Sequence, residues 1–205
     1  ELLSENGIGF LSYNAYPGAY QREMVRDILR EFVARESDIA AKVHEARRFL
    51  SLLAENCIET NVIRPAYRRE FERHTRHDVS DFFHDDLSDE YHPLYFREFN
   101  SLLTNNGLHI LAEAEFHAMA MFPFSEEVRR FAESVDDLIE REQYLDYFRG
   151  RVFRQSLFCR QQLAIDRSLA PSRLEELMIA TSLTPEGESI DLSPNTKIRF
   201  RGERE

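Results

Sequence analysis

Apolar residues recur every three or four positions through most of the chain between residues 20 and 163. This spacing places them on one face of an amphipathic helix, whereas a half-buried strand would alternate them every two positions. The clearest strand pattern is GIGFLSYNAYPG at residues 7–18, which ends in residues typical of turns. The sequence therefore predicts a mainly α fold: a bundle of about five to six helices, a stray N-terminal strand without a sheet to join, and a short mixed α/β piece at the C-terminal end.

Capping and turn residues give the expected bounds of these elements. Ser37 or Asp38 is a good N-cap for the second helix, Pro65 and Pro93 suit first helical turns, and Ser125 precedes an acidic first turn. The predicted elements are helices at about residues 20–32, 38–57, 65–83 and 93–103, a strand at 108–112, a helix that begins after Ser125, a long helix at 136–163, a short helix at 172–178, and strand-like pieces at 178–182 and 197–201.

The predicted long helix at 136–163 is apolar over a wide arc, so we expect it to be the central member of the bundle. Leu145 and Val152 are then buried, and Gly150 is a tolerated weak point. Its arginines are expected on the remaining surface, where they are available to the acidic run at residues 85–90. These arginines are Arg141, Arg149, Arg151, Arg154 and Arg160.

Composition excludes several classes of function. The formal net charge is −11, with 37 acidic and 26 basic residues, which argues against nucleic acid as a partner because binding to phosphates needs a cationic surface. No apolar run approaches the roughly 20 residues that a membrane span needs. Cys57 and Cys159 lie far apart without a CxxC spacing, which is typical of a reducing cytoplasm.

The predicted third helix carries histidines and carboxylates on one face. Imidazole and carboxylate on successive turns can hold Zn²⁺ or Fe²⁺, but a solvated face on which each histidine pairs with a carboxylate explains the same pattern. The metal-ligand candidates are His74, His77, Asp81 and His84, with Asp78 and Asp85 beside them.

The charges of the same helix are reversed relative to the helix dipole, because arginines crowd its first half and aspartates its end. Three explanations stay open: neighbouring helices supply opposite charges, the helix breaks near Val79, or the two charged patches meet a partner surface.

Cofactor-binding motifs are absent from this sequence. Gly7 and Gly9 form the only close glycine pair, and Ser12 stands where a dinucleotide fingerprint needs its third glycine. A phosphate-binding loop, an HExxH helix and a GxSxG turn are also missing. We therefore expect no cofactor in this fragment.

Several stretches together resemble one protein family. GIGFLSYNAYPG is similar to the fifth strand and following loop of class I S-adenosylmethionine-dependent methyltransferases, in the bacterial group that continues into a predicted methyltransferase regulatory domain. Residues 84–99 (HDDLSDEYHPLYFREF), 107–113 (GLHILAE) and 140–160 (EREQYLDYFRGRVFRQSLFCR) resemble blocks of that regulatory domain in the same order. Residues 165–171 (IDRSLAP) resemble the family's passage into a C-terminal domain.

The resemblance implies three parts: residues 1–18 as the tail of an α/β methyltransferase domain, 19–165 as a helical regulatory domain, and 166–205 as the start of a C-terminal domain. Some members of the group are protein-lysine methyltransferases acting on bacterial outer-membrane proteins. The implied function is a non-catalytic regulatory, substrate-docking or dimerisation domain, and S-adenosylmethionine is the cofactor of the parent protein. The implied partners are its own N-terminal methyltransferase domain, a protein substrate and a second copy.

The resemblance also gives Tyr13 and Asn14 a role, because they lie at the carboxyl end of the strand, where α/β sheets present ligand-facing groups. They would line the substrate side of the intact site, and a turn that merely ends the strand is the alternative. Two other functions stay open: a helical protein-interaction module, and a His/Asp metal-binding helical enzyme.

Overall fold

The computed structural model describes residues 3–75, 78–167, 172, 184–186 and 199–201. Contacts divide the chain into two compact units, Glu1–Ala164 and Ile165–Glu205. In the second unit, β4 (Thr184–Pro185) pairs with β5 (Phe200–Arg201). Apart from residue 172, the helix predicted at 172–178 and the strand predicted at 178–182 lie outside the described residues. The first unit contains β1 (Ile8–Asn14), α1 (Ala19–Phe32), α2 (Ile39–Asn56), α3 (Arg64–His74), α4 (Val79–Phe82), a π-helical turn (Phe83–Leu87), α5 (Phe96–Asn105), β2 (Leu108–Glu113), a 3-10 turn (Phe116–Met119), α6 (Glu126–Glu133), α7 (Leu138–Arg149) and β3 (Phe153–Arg160).

The predicted mainly α fold is confirmed, and so are several helix starts. Asp38 caps α2 by accepting the backbone N–H of Ala41 at 2.8 Å, and Ser125 caps α6 by accepting that of Val128 at 3.4 Å. Helices α1, α2 and α3, together with α4 and the π-helical turn, enclose one hydrophobic core. Its buried members include Val25, Leu29, Val43, Leu50, Tyr67, Phe82 and Leu87.

The prediction of a single helix at 65–83 is wrong, because two separate helices, α3 and α4, occupy this segment. Thr75 ends α3, and Asp78 starts α4 by accepting the backbone N–H of Asp81 at 2.8 Å. An aspartate that satisfies a free N–H in this way favours a new helix start over a continued helix. The structure shows two of the three explanations for the reversed charges: the helix is interrupted near Val79, and arginines of the neighbouring helix α1 pair with the aspartates that follow.

The long helix predicted at 136–163 is also wrong. Helix α7 ends at Arg149, where Gly150 adopts a left-handed conformation with φ = 59° that ends a helix at little cost for glycine. The following residues form β3, the middle strand of a sheet. Val152 and Phe148 are about half exposed, so this segment is not the central helix of a bundle.

The sheet has the order β1-β3-β2, and both outer strands run antiparallel to β3, so β1 and β2 are parallel to each other. Every residue of β1 has a partner in β3, from Ile8 opposite Cys159 to Asn14 opposite Phe153. The prediction of a stray strand is therefore wrong. The predicted strand at 108–112 is confirmed as β2.

One face of the sheet packs against α5 and α7 and forms a second hydrophobic core. Tyr13 of β1 and Ile110 of β2 meet Phe96, Phe99 and Leu103 of α5 there. Within the described residues, the structure contains no helix with the length and apolar character that crossing a membrane requires.

Helix α7 offers a matched test of this packing, because Leu145 is 2% exposed while Phe148 of the same helix is 54% exposed. We expect Leu145→Ala to lower the free energy of unfolding by about 2–5 kcal/mol, since it removes a large side chain from a packed interior. Phe148→Ala should change it by less than about 1 kcal/mol. Urea unfolding of both variants measures the difference, and equal losses would contradict the described orientation of α7.

Candidate functional site

The structure places the described metal-ligand candidates His74, Asp81 and His84 on three different elements. His74 is buried at the end of α3, Asp81 lies in α4, and His84 is exposed on the π-helical turn, where its Nδ1 lies 3.4 Å from Asp85. His77 lies outside the described residues. These candidates therefore do not share one continuous helix, and metal binding by them stays a prediction.

A different trio meets in the interior: the ligand atoms of Glu70, His74 and Asp86 lie within 4.8 Å of one another. The guanidinium of Arg73 contacts all three, at 2.9 Å from Glu70, 2.7 Å from Asp86 and 3.0 Å from Nε2 of His74. Arg22 adds a second cation at 3.2 Å from Asp86. Two arginines thus supply the positive charge here, and a metal ion would have to displace Arg73.

The charges around Asp86 also set its protonation. Burial raises the pKa of this carboxyl, but Arg22, His74 and Arg73 together outweigh burial and hold its pKa below the ordinary value. Asp86 is therefore ionised at neutral pH, and its ion pairs tie the π-helical turn to α1 and α3.

The acidic run at residues 85–90 is bound by α1. Three arginines spaced four apart on α1 face it: Arg22 pairs with Asp85 and Asp86, Arg26 donates to the backbone carbonyls of Asp85 and Ser88, and Arg30 pairs with Asp89. The prediction that the arginines between 141 and 160 serve this run is wrong. The spacing of Arg22, Arg26 and Arg30 was visible in the sequence and points to one helix face.

Arg154, which we expected on the surface, is 1% exposed. Its Nε and Nη2 bind the two carboxylate oxygens of Asp146 at 2.8 and 2.9 Å, and its Nη1 binds Glu113 at 2.6 Å. Glu142 lies 3.1 Å from Nη2, and the guanidinium covers the ring of Phe96 at 3.9 Å. One side chain of β3 thereby connects β2, α5 and α7.

Burial lowers the pKa of Arg154, but Asp146 and the other two carboxylates outweigh burial, so its pKa is raised and the guanidinium stays charged. Glu113 is held further by the hydroxyl of Ser156 at 2.9 Å and the backbone N–H of Gln155 at 3.2 Å. Each charge of this cluster has a partner, which is what a buried ionic group needs to be tolerated.

The two residues predicted to line a substrate site point in different directions. The ring of Tyr13 lies in the second core against Phe99, with 4.4 Å between ring centroids, and burial raises the pKa of its hydroxyl. Asn14 is only partly buried, and its side-chain oxygen accepts a hydrogen bond from Arg22 at 3.0 Å.

A tyrosine cluster that sequence reasoning missed surrounds the carboxyl end of β1. It consists of Tyr16, Tyr20 and Tyr95. The rings of Tyr16 and Tyr20 stack at 4.1 Å, that of Tyr95 lies 5.1 Å from Tyr16, and the hydroxyls of Tyr20 and Tyr95 are 3.2 Å apart. The hydroxyl of Tyr16 donates to Glu23 at 3.0 Å, and Tyr20 is 51% exposed.

The hydroxyls of Tyr16 and Tyr95 remain protonated at neutral pH. Burial and the hydrogen bond to Glu23 raise the pKa of Tyr16, and the hydrogen bond to Tyr20 together with burial raises the pKa of Tyr95 to about 12. Together with the neighbouring carboxylate of Glu23, the cluster thus presents phenol rings and polar hydroxyls. Such a surface suits binding of an apolar side-chain stem that ends in a cation.

Residues 78–160 match the family described as "Predicted methyltransferase regulatory domain". The match begins at the Asp78 cap of α4 and ends with β3, so it includes the acidic run, β2 and the residues around Arg154. The resemblance to a methyltransferase with this regulatory domain is thereby confirmed.

Over nearly its whole length, the chain is similar to PKMT2 from Rickettsia typhi. In its complex with AdoHcy, PKMT2 is 26% identical in sequence to this chain and superposes with a TM-score of 0.79. The match covers 98% of this chain and 40% of PKMT2. Another PKMT2 structure shares the fold, with 24% identity, a TM-score of 0.78 and coverage of 98% and 38%. RP789, an uncharacterized protein of Rickettsia prowazekii (strain Madrid E), is 26% identical over 95% of this chain and 36% of its own length. The chain spans about two-fifths of these relatives.

Arg154 gives a test of the buried ionic cluster. We expect Arg154→Met to lower the free energy of unfolding by about 3–5 kcal/mol, because it leaves Asp146 and Glu113 buried without their cation. Arg130→Met is the matched control: it breaks an exposed pair with Glu126 one turn away on α6 and should cost less than about 1 kcal/mol. Chemical denaturation of both variants distinguishes them, and similar costs would show that the buried cluster is dispensable.

Proposed function

We propose that this chain is the non-catalytic regulatory and substrate-docking part of an S-adenosylmethionine-dependent methyltransferase that modifies protein lysines. The family match, and the similarity to PKMT2 with its bound AdoHcy, support a methyltransferase context. The proposed partners are the methyltransferase domain of the same protein, a protein substrate and a second copy of the chain. S-adenosylmethionine belongs to the methyltransferase domain in this proposal, since the sequence lacks the glycine-rich turn that holds it.

The observation that carries the docking role is the position of the tyrosine cluster. Open α/β sheets bind their ligands outside the carboxyl ends of their parallel strands. Asn14 ends β1, and Tyr16 and Tyr20 follow it directly, while Tyr95 comes from the start of α5. In the proposal these groups lie on the substrate side of the methyltransferase site.

The chemistry of the cluster fits a lysine side chain. The aliphatic stem would pack on the exposed ring of Tyr20, and the ammonium group would be attracted by the ring faces and by the carboxylate of Glu23. Tyr16 and Tyr95 take no part in proton transfer in this proposal, because their raised pKa values keep both hydroxyls protonated. The cluster would orient the acceptor, and the methyl group would come from the cofactor held by the other domain.

Steady-state kinetics of the complete methyltransferase with a lysine-containing protein substrate test the docking role. We expect Tyr20→Ala to raise KM about tenfold, the equivalent of about 1.4 kcal/mol, with a smaller change in kcat. Tyr20→Phe keeps the ring and should raise KM by less. Phe116→Ala is the control, because Phe116 is exposed in the 3-10 turn, outside the tyrosine cluster. An unchanged KM in Tyr20→Ala would refute docking at the tyrosine cluster.

A further inference from the structure

A chain of aromatic rings leads from the tyrosine cluster along α7 to α6. Tyr95, at the start of α5, lies edge-on to Tyr147 of α7 with 6.2 Å between the ring centroids. Tyr147 lies 6.3 Å from Tyr144 of the same helix, and Tyr144 lies 5.7 Å from Phe131 of α6. Phe131 is in turn 5.9 Å from Phe148. The four residues of α6 and α7 in this chain form an aromatic track that begins at the tyrosine cluster.

The rings of the aromatic track contact one another and still face outward. Tyr147, Phe131 and Phe148 are between 43% and 54% exposed, whereas Leu145 of α7 is buried. Helix α7 therefore contributes to the interior with one face and presents aromatic rings on another. Exposed aromatic side chains gain much apolar contact area when a partner covers them, which is why they dominate the energetics of binding surfaces.

Neighbouring side chains hold the aromatic track in place. The hydroxyl of Tyr147 accepts a hydrogen bond from the guanidinium of Arg97 at 3.2 Å. Phe131 contacts both Tyr144 and Phe148, which lie one turn apart on α7. Rings that are already oriented lose little side-chain entropy when a ligand binds. The track is therefore a preformed surface.

The spacing of the rings matches a peptide in the extended conformation. Consecutive ring centroids from Tyr95 to Phe131 are 5.7 to 6.3 Å apart. In an extended chain every second side chain points to the same face, and these side chains repeat about every 6–7 Å. An extended peptide along the track can thus place one side chain of the same face on each ring in turn.

The charges beside the tyrosine cluster indicate which polymer this is. Glu23 accepts a hydrogen bond from the hydroxyl of Tyr16, and Glu98 accepts one from the backbone N–H of Tyr95. These carboxylates attract a lysine at the near end of the path, and the far end consists of two phenyl rings. Single-stranded nucleic acid also stacks on aromatic rings, but it needs a cationic groove, and the formal net charge here is −11.

We propose that the aromatic track binds an extended segment of the protein substrate beside the acceptor lysine, and that it selects apolar side chains at every second residue from that lysine. The proposal rests on the proposed function, because a lysine held in the tyrosine cluster sets the register of the segment. Helices α6 and α7 lie within the family match at residues 78–160. The regulatory segment would therefore act in substrate selection.

Two peptides of identical composition test this register in the complete methyltransferase. One carries leucine at the second, fourth and sixth residues on both sides of a single lysine, with serine between, and the other has the leucines and serines exchanged. We expect the first peptide to have a KM at least about tenfold lower, because its leucines share a face with the lysine. Equal KM values for the two peptides would overturn the proposal.

Variants of the aromatic track show whether its rings cause the preference. In Tyr147→Ala, and separately in Phe148→Ala, the tenfold difference in KM between the two peptides should fall to less than about threefold. Phe116→Ala removes an exposed ring outside the track and should keep the full difference. The same loss of preference in all three variants, or in none, would contradict binding along the track.

Calorimetry with the first peptide, its lysine replaced by glutamine, separates this proposal from the proposed function. The complete methyltransferase should bind this peptide, and Tyr147→Ala should weaken binding about tenfold. If this holds but no lysine peptide is methylated, the track stands and the proposed lysine methylation fails. If lysine peptides are methylated but the glutamine peptide does not bind, the track fails and the tyrosine cluster is unaffected. Binding of single-stranded oligothymidine instead of the peptide would also overturn the proposal.

Discussion

The rest of the first unit depends on the position of Arg154. A guanidinium that is 1% exposed must keep its carboxylates, because an unpaired buried charge costs several kcal/mol. Asp146 fixes the last turns of α7 against β3, and Glu113 fixes the end of β2. Since β3 also carries the whole pairing of β1, this ionic cluster sets where the carboxyl end of β1 and the tyrosine cluster lie.

A second charged connection holds the helical part to the sheet. The arginines of α1 bind the acidic residues and carbonyls between Asp85 and Asp89, a few residues before α5, the helix that packs on the sheet. Arg22 also binds Asn14, the last residue of β1. Helix α1 is therefore bound both to β1, the strand that precedes it, and to the acidic run. These contacts place α1 beside the tyrosine cluster.

The sequence predicted correctly those elements whose buried face follows from the spacing of residues within the element itself. Helices α1 and α2 follow from their apolar stripes and the Asp38 cap, and β2 from its short apolar run. Residues 153–160 were mistaken for helix because their partners in β1 lie 139 to 151 positions earlier. The burial of Arg154 was missed as well, because the acids that compensate its charge lie on other elements. The tyrosine cluster was missed for the same reason, because Tyr95 is distant in sequence from Tyr16 and Tyr20.

Thermal unfolding of the chain without residues 1–14 tests most directly whether the strand and the helices form one unit around β3. The removal of β1 uncovers one whole edge of β3 and takes Tyr13 from the second core. We expect a melting temperature lower by about 10 °C or more than that of the 205-residue chain. Melting curves that coincide would contradict it, because they would show that β1 contributes nothing to the fold.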